Sequence, residues 1–148
     1  MKQEYIDYIR TFNRFYTKVL GVLNKSYLDS EFGLPEIRVI QDVYLYPNRK
    51  AKDISRELNM DKGLLSRILK KLEMKEYICR GKTVKDNRME FISLTKTGEE
   101  VYHTLDVAAS QSVKEIFAGL DESQLQEIVK SMKTILSIMT NTKRDDRN

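Results

Sequence analysis

The sequence has little of what usually cross-links or metallates a small protein. Cys79 is its only cysteine, which excludes an intrachain disulfide, and His103 is its only histidine. One Cys and one His cannot build a zinc site without several carboxylates, so no structural metal is expected. No apolar run approaches the roughly 18 residues of a membrane-spanning helix. The first residues interleave apolar side chains with Lys2, Glu4, Asp7, Arg10 and Arg14, unlike a signal peptide, and a cytoplasmic protein is the expectation. No nucleophile–base pair, phosphate-cradling glycine loop or metal cluster stands out. Neither catalysis nor a cofactor is therefore expected.

What is present is a chain of 148 residues, 41% hydrophobic and 32% charged, the size and composition of one folded domain. The net charge of +4 is unevenly spread. Between Arg49 and Arg88 there are 13 Lys/Arg against 6 Asp/Glu, while the remainder carries 13 against 16. A basic centre between slightly acidic arms suits a polyanion. A solvated basic face with no partner would look the same from charge alone.

Periodicity sets the elements. From Gln3 to about Leu28, Tyr5, Ile9, Phe12, Tyr16, Val19, Leu23 and Tyr27 recur at helical spacing, and Tyr8, Phe15 and Val22 form a second stripe. Two apolar faces are more than docking on one domain requires, and a partner subunit is the economical second surface. Pro35 opens a second helix, where its missing N–H leaves nothing unpaired, and Tyr46-Pro47-Asn48 closes it. Ala51 to Leu58 is a short helix. After the tight connection Asn59-Met60, Asp61 caps a helix from Lys62 to about Lys75, with Met60 and Leu65 placed as a hydrophobic staple.

The period then changes. Residues 77–84 and 89–94 are strand-like and flank a polar turn, Lys85-Asp86-Asn87-Arg88, which makes a β-hairpin with a basic tip. Thr95 caps a long helix reaching about Phe117. After Gly119-Leu120, Asp121 and Gln124 form a capping box for a last helix to Thr140, and the charged tail from Asn141 is expected to fray. The expected fold class is mainly α with a small β-hairpin wing.

On a helical wheel, Leu65, Ile68, Leu69 and Leu72 cluster on one side of the fourth helix. Lys62, Gly63, Ser66, Arg67 and Lys70 occupy the opposite arc. Three cations supply attraction and two small residues allow close approach, as a helix entering the major groove of DNA needs. Lys62 and Lys70 suit phosphates; Ser66 and Arg67 suit base edges. A short helix before it, with the small Ser55 at the crossing, makes a helix-turn-helix, and the hairpin after it makes the winged version. In the wing, Lys82, Lys85, Asp86 and Arg88 are the candidates, Arg88 for the minor groove and Asp86 as turn former or Arg88 partner. The alternative is a winged-helix protein-interaction module whose basic face docks an acidic partner. Salt-sensitive but sequence-blind binding would mark that alternative.

At this point an ordered series of segments can be compared with known families. It runs Leu34-Pro35-Glu36-Ile37-Arg38-Val39-Ile40, then Asp53 to Asp61, Leu65 to Glu73 and Tyr77 to Arg80. It ends with Asp86-Asn87-Arg88 and Leu94-Thr95-Lys96-Thr97-Gly98. The series resembles the MarR family of bacterial transcriptional regulators over nearly the whole chain. The resemblance implies a homodimer on palindromic double-stranded DNA. A winged lobe would span residues 34–94, and terminal helices in 3–30 and 95–142 would interlock at the two-fold axis. It also implies release by a small ligand. Ser66, Arg67 and Lys70 match reading-helix positions, and Asp86 and Arg88 match the wing. Asn87 departs from a usual Arg, which thins the wing; Pro35 stands where a polar cap is common, and Ser55 replaces a usual Ala. No cysteine lies near the N-terminus, where peroxide-sensing members carry one.

Two further expectations concern the aromatics and the thiol. Tyr5, Tyr8, Phe12, Tyr16 and Tyr44 are candidates to line a pocket for a small aromatic ligand, although tyrosines are more often core or interface residues. Cys79, in an apolar context, is expected to be a buried structural thiol, since cysteine behaves as a small hydrophobe. The adjacent Arg80 leaves a low-pKa thiol open.

Overall fold

The computed structural model describes residues 1–28, 31–83 and 86–145, with side chains placed for all of these except 20–28, 82–83, 86–90 and 142–145. In chain order the elements are α1 (Gln3–Leu28), α2 (Leu34–Leu45), α3 (Ala51–Glu57), α4 (Lys62–Met74), β1 (Ile78–Thr83), β2 (Asp86–Leu94), α5 (Lys96–Phe117) and α6 (Glu122–Asp145). This is the expected mainly α fold with a two-stranded antiparallel hairpin. None of the described helices is long and apolar enough to cross a membrane. The chain forms two compact units, Met1–Ser112 and Val113–Asn148.

In the first unit the core gathers one face from each central element. Ile37, Val39, Ile40 and Val43 of α2, Ile54 of α3, Leu65, Ile68, Leu69 and Leu72 of α4, Ile78 of β1 and Ile92 of β2 form one buried cluster, with Leu105 of α5. Local chemistry sets the boundaries. Gly33 offers no capping side chain to α2; instead the Glu36 carboxylate accepts the Gly33 N–H at 2.6 Å. Asp61 accepts the Leu64 N–H at 3.0 Å and caps α4 as expected.

Helices α3 and α4 end in the same way. The residue after each C-cap is left-handed, Asn59 at φ 47° and Glu76 at φ 58°. The next N–H reaches back five residues: Met60 to the Ser55 carbonyl and Tyr77 to the Leu72 carbonyl, both at 2.9 Å. These are Schellman closures, which satisfy carbonyls the helix itself cannot. The Ser55 hydroxyl adds a 2.8 Å bond to the Met60 carbonyl, so this serine ties the turn between α3 and α4.

The hairpin pairs Ile78 with Leu94, Arg80 with Ile92 and Lys82 with Glu90; after an irregularity Thr83 pairs with Asp86. The expected turn over residues 85–88 is therefore too long, because Asp86, Asn87 and Arg88 already belong to β2. The Thr83–Asp86 pair supplies ladder partners to backbone groups that a polar turn would leave to water. The wing root is tied to the loop before α3. The Ile92 N–H donates to the Arg49 carbonyl at 2.8 Å, and the Ser93 hydroxyl donates to Asn48 Oδ1 at 3.1 Å.

Cys79 is exposed, not buried. The strand alternation is the cause: Ile78 turns inward at 2% exposure, so its neighbour must face out.

In the second unit, Asp121 and Gln124 cap α6 reciprocally at 2.9 and 3.0 Å. Helix α6 continues to Asp145, past the expected end at Thr140. No Gly or Pro interrupts residues 141–145. Val113, Phe117, Leu120, Leu125, Ile128, Val129 and Met132 line an apolar groove within this unit.

Gly98 offers a direct check on how α5 starts. A Cβ there would collide with the Tyr77 carbonyl oxygen, which is backbone and cannot turn aside. Gly98→Ala is expected to lower stability by about 1–3 kcal/mol, read as a falling urea midpoint. An unchanged midpoint would show that α5 can slide off Tyr77 freely.

Candidate nucleic-acid interface

Burial of Leu65, Ile68, Leu69 and Leu72 fixes the rotation of α4 about its own axis. The opposite arc then has to face solvent. Lys62, Gly63, Ser66, Arg67 and Lys70 are all exposed, so the structure brings these five sequence-selected residues onto one face. The Arg67 Nε–H lies 3.4 Å from the Gly63 carbonyl one turn earlier, which lays the guanidinium along the helix toward its N-terminal end. No carboxylate pairs with Lys62, Arg67 or Lys70 among the described residues.

A depression beside this face is lined by Ala51, Lys52, Ser55, Lys62, Leu65, Ser66, Leu69 and Arg80. Lys52 and Arg80 thus border the basic face of α4, beyond the residues that the helical wheel selects. Lys52 was discoverable as the exposed cation of the first turn of α3. Arg80 needed the strand register, and Glu73 holds it at 3.1 Å.

Of the wing candidates, Lys85 lies outside the described residues. Lys82 ends β1 opposite Glu90, and Asp86 and Arg88 lie in the first half of β2; their side chains lie outside the description.

The candidate pocket residues separate. Tyr5, Tyr8, Phe12 and Tyr16 are exposed along α1, where Phe12 and Tyr16 stack at 5.7 Å. Tyr44 stacks instead on Tyr102 at 3.7 Å, with His103 edge-on at 5.3 Å. No ring contact joins Tyr44 to the four α1 aromatics among the described residues. Burial, the nearby Asp106 carboxylate and Tyr44 push the Tyr102 hydroxyl above the usual tyrosine pKa. Tyr102 and His103 were missed because the pairing joins residues far apart in the chain.

Behind the interface sits a buried ion pair that the sequence did not reveal. Arg49 reaches Asp42 at 3.4 Å and lies 4.3 Å over the Tyr46 ring. Burial raises the Asp42 carboxyl above its usual range, Arg49 opposes that rise, and Glu57 adds to it. The pair ties the end of α2 to the loop that carries the wing contact at Ile92.

These features can be set beside known proteins. A model of the MarR family matches residues 33–89. The HTH-type transcriptional regulator SarZ of Staphylococcus epidermidis is 30% identical over 117 residues, spanning 76% of this chain and 78% of that protein. The chain belongs to the MarR family. SarZ proteins of other staphylococci align over a shorter stretch, 57% of their length. Among solved structures, Streptococcus pneumoniae FabT in complex with DNA matches with a TM-score of 0.76 at 20% identity, over 93% of this chain and 99% of that one. Staphylococcus aureus MarR in complex with salicylate and kanamycin matches with a TM-score of 0.77 at 18% identity, over 95% of each. At those identities the likeness establishes the MarR winged-helix fold, not a ligand.

For this MarR-family chain the Asp42–Arg49 pair yields a pH-dependent expectation. Arg49→Ala leaves Asp42 buried without its countercharge and is expected to lose about 3 kcal/mol at neutral pH. A raised carboxyl pKa favours the folded state below the ordinary value, an advantage lost as pH rises through the folded one. Urea unfolding at pH 7 and pH 5 should therefore show the deficit of the variant shrinking toward acid. A deficit independent of pH would rule out the buried charge as its source.

Proposed function

We propose that the chain is a sequence-specific DNA-binding regulator that acts as a homodimer on a palindromic operator, with α4 as the reading helix. The observation that carries this reading is the solvent-facing arc of Lys62, Gly63, Ser66, Arg67 and Lys70, opposite a fully apolar buried face. Arg67 and Ser66 read base edges, Arg67 best against guanine. Lys62 and Lys70 contact phosphates, and Arg88 and its neighbours Lys82, Lys85 and Asp86 form the minor-groove wing. FabT, of the same fold, was solved on DNA, which supports this mode of use.

The dimer reading rests on large apolar side chains exposed on the long helices. Tyr8 and Phe15 of α1 are 77% and 63% exposed, and Leu136 of α6 is 64% exposed. Surfaces of that kind mark interfaces. Residues 3–30 and 95–142 are accordingly assigned to dimerisation and 34–94 to DNA. Two-fold symmetry then repeats α4 at about 34–36 Å, one turn of duplex. Such a role is regulatory rather than enzymatic and belongs in the cytoplasm. A small aromatic ligand held by the exposed α1 aromatics Tyr5, Tyr8, Phe12 and Tyr16, from which Tyr44 stands apart, would act by changing the separation of the reading helices; the salicylate bound to S. aureus MarR supports that chemistry.

The test is binding to a duplex selected by the purified protein from random-sequence DNA, with a scrambled duplex as control. Arg67→Ala is expected to weaken the selected site by about 1–3 kcal/mol with little effect on the scrambled one. Arg88→Ala should weaken both. Failure to select any sequence, or equal losses on both duplexes for Arg67→Ala, would overturn the assignment of α4 as reader.

A further inference from the structure

The C-terminal end of α4 is held by a group that lies outside the lobe's own helices. Tyr77, two residues beyond the C-cap Lys75, reaches in three directions. Its N–H closes α4 onto the Leu72 carbonyl at 2.9 Å, and its carbonyl accepts the Thr95 N–H at 3.0 Å, just before α5. Its hydroxyl donates to Glu31 Oε1 at 2.8 Å. The other oxygen of Glu31 binds the Lys75 ammonium. Phe32, 7% exposed, packs edge-on against the Tyr77 ring at 5.7 Å, with Lys75 also over Phe32. Glu31 and Phe32 thus straddle the left-handed residue Glu76, one partner on each side of it.

We propose that Tyr77, anchored by the Glu31 carboxylate, is a positioning residue for DNA reading. The pair fixes the C-terminal end of α4 against the residues between α1 and α2, and so sets the angle at which Lys62, Gly63, Ser66, Arg67 and Lys70 meet the groove. This rests on α4 being the reading helix. The lever is long: 13 residues at about 1.5 Å each place the two ends about 18 Å apart, so a tilt of about 5° moves the Lys62 end by roughly 1.5 Å. Base contacts tolerate less than that, since hydrogen bonds hold only over about 2.7–3.2 Å. The energetics point the same way. Glu31 and Lys75 side chains are 45% and 35% exposed, and such pairs add little to stability. A contact with small thermodynamic weight at the base of a long lever acts on geometry more than on folding.

Tyr77→Phe removes the hydroxyl and keeps the ring on Phe32. It is expected to leave the melting temperature within about two degrees of the wild type. The affinity ratio between selected and scrambled duplex should fall about five- to tenfold. Glu31→Ala should match it, Glu31→Gln should recover part of the ratio because its amide oxygen still accepts the phenol, and the double variant should be no worse than Tyr77→Phe. In the DNA-free protein, amide hydrogen exchange across residues 71–77 should speed several-fold while the rest of the lobe stays unchanged. An unchanged ratio with unchanged exchange overturns the proposal. So does an equal loss on both duplexes with a large fall in melting temperature, which would mark a purely structural role. If the wild-type protein shows no preference between duplexes, the reading function fails and the positioning role with it. The exchange measurement then reports separately whether Glu31 and Tyr77 restrain α4.

Discussion

Leu65, Ile68, Leu69 and Leu72 of α4 interlock with Ile40, Val43, Ile54, Ile78 and Ile92 in one dry cluster, and the arrangement of the lobe depends on that packing. A helix has a single circumference, so burying one arc commits the other to solvent. Helices α2 and α3 supply the walls that make burial worthwhile, and β2 closes the seam through Ile92. Leu72 and Leu69 are at most 2% exposed, which leaves α4 no rotational freedom to hide its cations. The basic face therefore follows from packing.

Much of this was legible in the chain because the signals are local. Periodicity locates the six helices of the described residues, Asp61 and Asp121 announce their caps, and the wheel of α4 separates core from surface as the structure does. The failures were of two kinds. Some came from reading a residue by type: Cys79 is apolar enough for a core but sits one position after Ile78, and alternation turns it outward. Lys85-Asp86-Asn87-Arg88 has turn composition, while pairing of Thr83 with Asp86 carries the ladder further. The charge of the tail suggests fraying from Asn141, yet no residue from 141 to 145 breaks α6.

The other kind of difference concerns contacts that fall outside helical or strand spacing. Tyr44 on Tyr102, Arg49 on Asp42, and Glu31 on Tyr77 each join residues whose proximity no local pattern encodes. They share a role. Each ties a surface-bearing element to its neighbour with polar or aromatic groups, where the apolar core alone would permit sliding. The Asp42–Arg49 pair holds the loop that receives the wing, and the Schellman closures at Asn59 and Glu76 fix the turn between α3 and α4 and the C-terminal end of α4.

Outside this lobe, α1 and α6 carry exposed apolar side chains, Tyr8, Phe15 and Leu136 among them, and the dimeric reading of the chain rests on them. Hydroxyl-radical footprinting of the protein on a duplex it selects tests that reading and the role of α4 together. The account predicts two protected segments related by a dyad and centred about 10–10.5 base pairs apart, both on one side of the duplex. A single protected segment, or even protection along the whole duplex, would contradict it.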